Sequence, residues 1–153
     1  MKQNKAESEI KNKLEKILEK HRHERVCVVG TTCTGKSYLI KHIHNALDMD
    51  KLIFPLLTKS EEDYVMRKPW TEEIGKTMTR LVRKRVKIEP GKPVFGTVVI
   101  PSDYIVYLKI SDNLLEERTK KRNKKYSDAK NMQTQLENEI HSSRIPYEKL
   151  DIG

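Results

Sequence analysis

The stretch that decides the fold is Gly30-Thr31-Thr32-Cys33-Thr34-Gly35-Lys36-Ser37, in the first third of a chain of 153 residues. It fits the pattern G-x-x-x-x-G-K-[ST], the phosphate-binding loop motif known as Walker A or the P-loop. Glycines let the backbone adopt positive φ and approach a polyphosphate closely, and successive N–H groups then form an anion-binding concavity. In such a loop the ammonium of Lys36 reaches the outer phosphates, and the hydroxyl of Ser37 is a ligand for Mg²⁺.

The residues on both sides of the motif have the patterns that this loop requires. Residues 25–29 are rich in β-branched residues and predict a short buried strand. The apolar residues that follow recur at helical spacing, and they are Leu39, Ile40, Ile43 and Leu47. A strand, a glycine loop and a helix in this order predict that residues 30–37, together with Tyr38, bind the phosphates of a nucleotide at the helix N-terminus.

Composition indicates a single domain with anionic partners. Apolar residues make up 36% of the chain and charged residues 35%, and 153 residues are expected to form one domain, 1–153. The net charge of +9 suits nucleotides, phosphorylated metabolites, nucleic acid or an anionic membrane surface, without choosing among them. The chain has no membrane-spanning apolar run and no secretory signal, and a disulfide framework from Cys27 and Cys33 is not expected. We therefore expect a cytoplasmic protein.

Apolar periodicity predicts further helices and strands around the loop. Residues 1–24 are expected to form an added helix that packs on the outside of the fold, with partner binding as the less favoured alternative. The other predicted elements are strands at 51–57, 94–100 and 104–110, a helix from Thr71 to about Ile88, a helix after Ser111, and a last helix capped by Ser127 or Asp128. Alternating strands and helices predict a three-layer α/β fold with a small, mostly parallel sheet of about four or five strands.

A second informative stretch, residues 115–125, is strongly basic. Arg118 and Arg122 are four residues apart, so both project from one face of the predicted helix. Two guanidinium groups on one face can hold a transferring phosphoryl group. The alternative for this stretch is an ordinary solvated basic face.

Together, these stretches resemble the P-loop nucleoside and nucleotide kinases, the group that includes adenylate kinase and shikimate kinase. The resemblance spans residues 25–145 and is carried by residues 30–37 and by the strand 103–111 followed by Leu115-x-x-Arg118-x-x-x-Arg122. It implies a P-loop NTPase fold, with ATP and Mg²⁺ bound. It also implies a lid at about residues 118–130, in which Arg118 and Arg122 contact the ATP phosphates.

The chain departs from the family pattern at several points. The family usually has an acid after the second strand; Asp63 is favoured over Glu61 and Glu62, and a capped, solvated turn is the alternative for this run. The family strand near the carboxyl end is expected to be short, absent or supplied differently. The candidate acceptor contacts are Arg67, Trp70 and Arg80, with core packing of Trp70 and a surface charge at Arg80 as the alternatives.

The resemblance implies an ATP-dependent kinase that transfers the γ-phosphoryl group to a small acceptor, with a nucleoside or nucleotide as the first choice. The predicted catalytic residues are Lys36, Arg118, Arg122 and Asp63, and Ser37 is the predicted metal ligand. The alternative is a P-loop ATP-binding protein or ATPase without kinase activity that could be associated with RNA. A membrane partner is not expected, and a GTPase is disfavoured because the chain has no Asn-Lys-x-Asp motif.

Overall fold

The computed structural model describes residues 2–69 and 71–153, with side chains described from Glu7 onward. Trp70, a candidate acceptor contact, lies outside the described residues. The elements in chain order are α1 (Lys2–Lys20), β1 (Val26–Val29), α2 (Lys36–His42), β2 (Leu47–Asp48), α3 (Met49–Ile53), a 3-10 turn (Phe54–Leu56), α4 (Lys59–Val65), α5 (Glu72–Arg85), β3 (Val94–Gly96), β4 (Tyr104–Ile110), α6 (Asp112–Lys121), α7 (Tyr126–Ser143) and β5 (Tyr147–Ile152).

All the strands belong to one five-stranded sheet with the order β2-β3-β1-β4-β5. Every neighbouring pair is parallel, so the carboxyl ends of all strands meet at one edge of the sheet. The predicted α/β class is confirmed, and the strand near the carboxyl end is present, because β5 pairs with β4 from Tyr147 to Ile152.

Helices cover both faces of the sheet, which gives the three layers predicted. One face carries apolar residues of α3, α4, α5 and the second half of α7 against Cys27 and Val29 of β1. The opposite face carries α1, α2 and α6 against Val26 and Val28, the alternate residues of the same strand. Because side chains alternate across a strand, the four buried residues of β1 supply both cores.

The predicted strand at residues 51–57 is wrong. Residues 49–56 form α3 and the 3-10 turn, and the second strand consists of Leu47 and Asp48 alone. The side chain of Asp48 accepts a hydrogen bond from the amide of Asp50 (3.0 Å) and so caps α3. A short apolar run such as Leu52–Phe54 fits a buried helix as well as a strand. Here the Asp48 cap favours the helix.

Other boundaries also differ from the predictions: α1 ends at Lys20 instead of residue 24, and α5 ends at Arg85 instead of about Ile88. Helix α2 ends at His42, and Asn45 with φ 64° turns the chain into β2, so Leu47 is not helical. Strand β3 ends at Gly96 instead of residue 100, because Arg83 and Glu139 bind the backbone of Val99 instead of a neighbouring strand. Helix α7 begins after Lys125, earlier than the predicted caps at residues 127 and 128.

Helix α1 is present as an added helix, and it contributes to the core instead of only packing on the outside. Leu14 is fully buried within the cluster that includes Leu115 and Ile152. In the described ranges, no helix has both the length and the apolar character that crossing a bilayer requires.

Candidate functional site

The glycine loop, residues 30–37, leaves the carboxyl end of the central strand β1 and runs into α2. Gly35 has φ 103°, a left-handed conformation that glycine adopts without steric cost. A Cβ added at Gly30 would lie 3.1 Å from the carbonyl oxygen of Leu108. These two glycines are therefore required by the backbone path, and the predicted strand-loop-helix arrangement is confirmed.

Side chains bind the carbonyl groups of the glycine loop. The guanidinium of Arg118 donates to the carbonyl oxygens of Cys33 and Thr34, both at 3.1 Å. The hydroxyl of Thr34 donates to the carbonyl of Thr31, and the buried hydroxyl of Thr31 donates to the carbonyl of Ala129 at 2.6 Å. Helices α6 and α7 thus fix the loop from outside.

Most amide groups of the loop have no such partners. Apart from the hydrogen-bonded turn at Thr32–Cys33, no hydrogen bond to a described residue is found from the N–H groups of residues 31–37, whereas the amide of Gly30 donates to Gly96. Buried or half-buried amides are normally hydrogen-bonded. A loop whose carbonyls are bound and whose amides are mostly free presents the polarity that an anion needs.

Lys36 folds back over the loop. Its ammonium donates to the carbonyl oxygens of Gly30 (2.7 Å) and Thr31 (2.6 Å). Burial lowers the pKa of this ammonium to about 8, and the Asp50 carboxylate is the largest of the charges that oppose the shift. Lys36 therefore still carries its proton in most molecules at neutral pH.

The carboxylates that act on Lys36 are Asp50 and Asp48, which the sequence-based prediction missed. Asp48 is the last residue of β2 and Asp50 lies in the first turn of α3, so both are at the end of the second strand as the structure places it. Desolvation, and then the neighbouring charge of Asp48, raise the pKa of Asp50, while Lys36 lowers it. Parallel strands bring this strand end to the same edge of the sheet as the glycine loop.

The structure does not place Asp63 beside Lys36 and the glycine loop. Asp63 lies on α4 with 63% of its side chain exposed, and its carboxylate is 3.9 Å from Lys59. The prediction chose Asp63 because it placed the second strand at residues 51–57. The acids that act on Lys36 could have been found from Asn45, a residue that favours left-handed helix ends, followed by the Asp-Met-Asp sequence.

Arg118 and Arg122 lie near each other on α6 but in different environments. Arg118 is half-buried against the glycine loop; burial lowers its pKa, and the Glu7 carboxylate of α1 opposes the shift. Arg122 is exposed at the helix end, and its positive charge contributes to the lowered pKa of Lys36. The predicted lid at 118–130 is mostly helical, because only residues 122–125 connect α6 to α7.

The remaining candidates fall into two groups. Ser37 is exposed in the first turn of α2, Thr32 and Tyr38 are half-buried, and the Tyr38 ring lies 4.4 Å from the ring of His42. Arg67 and Arg80 are exposed, and neither hydrogen-bonds to the loop within the described ranges. The guanidinium of Arg67 instead lies 5.4 Å from the Tyr64 ring.

The chain matches no protein-family model and no curated protein.

Proposed function

We propose that the chain is an ATP-dependent kinase of the P-loop class, which transfers the γ-phosphoryl group to a small acceptor such as a nucleoside or nucleotide. The observation that carries this proposal is the row of mostly free amides at residues 31–37 beside the Lys36 ammonium. The position of this loop at the carboxyl end of a central parallel strand also supports it, because ligands of open α/β sheets bind at that edge.

Each charged side chain of the group has a role in this proposal. The loop amides bind the phosphate chain, and Lys36 exchanges its bonds to Gly30 and Thr31 for bonds to the β- and γ-phosphates. Arg122 is free to approach the transferring group, where it stabilises the charge that develops. Arg118 positions the loop through its carbonyl groups, so its guanidinium acts on the loop instead of on the phosphoryl group.

We assign Asp50 as the carboxylate that acts on the hydroxyl of the acceptor. Its raised pKa makes the carboxylate a better proton acceptor than an exposed aspartate, and it lies near enough to Lys36 to feel its charge. In phosphoryl transfer, such a residue orients the attacking hydroxyl and accepts its proton.

The residues present fit a magnesium ion. Mg²⁺ prefers oxygen ligands and usually binds through one or two carboxylates together with substrate phosphates and water. The hydroxyl of Ser37 and the carboxylate of Asp48 are oxygen donors at this edge of the sheet. When bound, the ion would neutralise charge on the phosphates.

The test is phosphoryl transfer from γ-labelled ATP to a panel of nucleosides, nucleotides and small hydroxy acids. We expect Lys36→Ala to lower the rate at least about 100-fold, the size typical for loss of a transition-state contact. Asp50→Asn is expected to abolish transfer while Mg·ATP still binds, as measured by calorimetry. Asp63→Asn is the matched control, because Asp63 is exposed and bound to Lys59.

Two results would contradict the proposal. The first is a folded protein that shows no binding heat with millimolar Mg·ATP. The second is phosphoryl transfer that Asp63→Asn abolishes and Asp50→Asn leaves intact.

A second candidate function is nucleotide hydrolysis without a small acceptor. It is favoured by the short connection at residues 122–125, because kinases generally cover the site with a lid to exclude water. If labelled phosphate goes to water at the same rate with and without every acceptor, and Lys36→Ala stops it, this candidate replaces the first.

A further inference from the structure

The last residues of α6 and the connection to α7 carry a dense group of exposed positive side chains, which we call the basic junction. The basic junction consists of Lys120, Lys121, Arg122, Lys124 and Lys125. The ion pairs found within residues 7–69 and 71–153 include none of these five cations. The positive potential of the basic junction is therefore not neutralised by the fold.

Acidic neighbours are present on the same helix but do not pair with the junction. Glu116 and Glu117 precede Lys120 and Lys121 by four residues, the spacing that commonly gives ion pairs on a helix. On α5, the corresponding spacing does give an ion pair, between Glu72 and Lys76.

Helix electrostatics do not explain the basic junction. Cations are favourable in the last turn of α6, where Lys120 and Lys121 lie, because of the partial negative charge there. Lys125, however, is the N-cap residue of α7, where the helix carries partial positive charge and where Ser, Thr, Asp or Asn would accept a hydrogen bond. Its side chain makes no capping bond. A residue whose type is unfavourable for its local position, as Lys125 is at this N-cap, is expected where the residue has a function.

The absence of apolar groups indicates what the junction binds. The large exposed apolar side chains of the described residues are Leu56, Met66 and Tyr147, and none belongs to the junction. A basic helix that lies on a membrane presents apolar residues beside its cations, and peptide-binding grooves present apolar pockets. A phosphodiester backbone requires positive charge alone.

We propose that the basic junction binds the backbone of a single-stranded nucleic acid. This goes beyond the proposed kinase activity. The strand would lie beside the glycine loop, because Arg118, two residues before the junction, bonds directly to that loop. The short connection at residues 122–125 leaves this side of the site open to a polymer.

The experiment measures fluorescence anisotropy of labelled 16-residue oligouridylate and oligodeoxythymidylate over a range of salt concentrations. We compare wild type with the double variant Lys120→Glu/Lys121→Glu. We expect the variant to lose at least about tenfold in affinity at low salt. The slope of log K against log salt should fall by about 1.4, which corresponds to two single-strand phosphate contacts. Binding of RNA only, DNA only or both identifies the natural strand.

The matched control is Lys13→Glu/Lys16→Glu on α1, where both lysines are exposed. Each double variant lowers the net charge from +9 by four units, to +5. The control is expected to bind the oligonucleotides as wild type does. Equal losses in the two variants would overturn the proposal, because net charge alone would then explain binding. So would binding to phosphatidylserine vesicles without binding to either oligonucleotide.

Two further measurements separate this proposal from the kinase. Lys36→Ala is expected to lose Mg·ATP binding and to keep oligonucleotide binding. If Lys120→Glu/Lys121→Glu lowers Mg·ATP affinity as much as oligonucleotide affinity, the junction serves the nucleotide and the proposal is wrong.

The variant Lys125→Asp tests whether Lys125 contributes to nucleic-acid binding while it lowers the stability of the folded protein. The aspartate can cap α7, so we expect the melting temperature to rise by about 2–4 °C while oligonucleotide affinity falls. A lower melting temperature would show that Lys125 has a structural role, and unchanged affinity would exclude it from the binding surface.

Discussion

Lys36 occupies a position where its positive charge is costly, because the ammonium is buried. The ammonium is desolvated between the carbonyl oxygens of Gly30 and Thr31, and this burial lowers its pKa from 10.5 to about 8. The titratable groups that act on it are Asp50, Cys33, Asp48 and Arg122. A polyphosphate would add negative charge and raise the pKa again.

The first prediction concerns the stability of the nucleotide-free protein between pH 8 and 10.5. In this range the unfolded state keeps the proton of Lys36 and the folded state loses it, so the contribution of this group to the free energy of unfolding rises with pH. The rise amounts to as much as about 3 kcal/mol for the shift described. Urea unfolding of wild type and Lys36→Met at pH 7.5 and pH 10 measures it.

Because other groups also titrate in this range, the informative quantity is the difference between the two proteins. We expect this difference to move in favour of wild type as the pH increases. A difference that stays constant from pH 7.5 to 10 would show that the ammonium is not desolvated.

At the scale of elements, Arg85 of α5 links that helix to the α3–α4 segment, in addition to their apolar contacts. The Arg85 guanidinium donates to both carboxylate oxygens of Glu61 (2.7 and 3.0 Å) and to the carbonyl of Leu56 (3.0 Å). Glu61 also completes the capping box of α4 with Thr58. The bonds from Arg85, followed by the one from the Thr58 amide, lower the pKa of Glu61 to about 2.

The second prediction is that Glu61→Gln makes the protein less stable at pH 7 and less sensitive to acid. A carboxylate with a lowered folded-state pKa stabilises the protein above pH 4.5 and loses that contribution as the pH falls towards 2. Urea unfolding at pH 7 and pH 3 should show a smaller loss for the variant than for wild type. Asp63→Asn, on the same helix, is expected to behave as wild type; the same loss in all three proteins would rule out this role for Glu61.

At the scale of the whole molecule, the sheet has a separate apolar core on each face. The core that contains Leu14, Leu115 and Ile152 is completed by α1, a helix that precedes the first strand. This helix is therefore needed to cover the sheet and is not a detachable appendage.

The third prediction is that Leu14→Ala destabilises the protein by about 2–5 kcal/mol, the range for fully buried leucines. Leu14 is completely buried, whereas Leu56 is 52% exposed. Leu56→Ala, the control, is expected to change the free energy of unfolding by less than about 1 kcal/mol. Equal effects in chemical denaturation would mean that α1 does not pack on the sheet in solution.

Local sequence was sufficient for the elements whose signals are long or chemically distinct. The strand predicted at residues 104–110 matches β4, and the helix predicted from Thr71 begins where the Thr71 side chain caps it. The glycine loop between β1 and α2 was also predicted, because glycines at these spacings have few alternative conformations. Each of these signals depends only on residues close together in sequence, so the sequence alone is enough to predict the element.

Only the tertiary structure decided which side chains meet at the loop. Strand β2 has two residues, too few for an apolar alternation, and it is a strand because β3 lies beside it. The order β2-β3-β1-β4-β5 then brings Asp48 and Asp50 to the edge where Lys36 lies, and Arg118 reaches the same loop from α6. These contacts join residues distant in sequence, and the packing of helices on both faces of the sheet determines them.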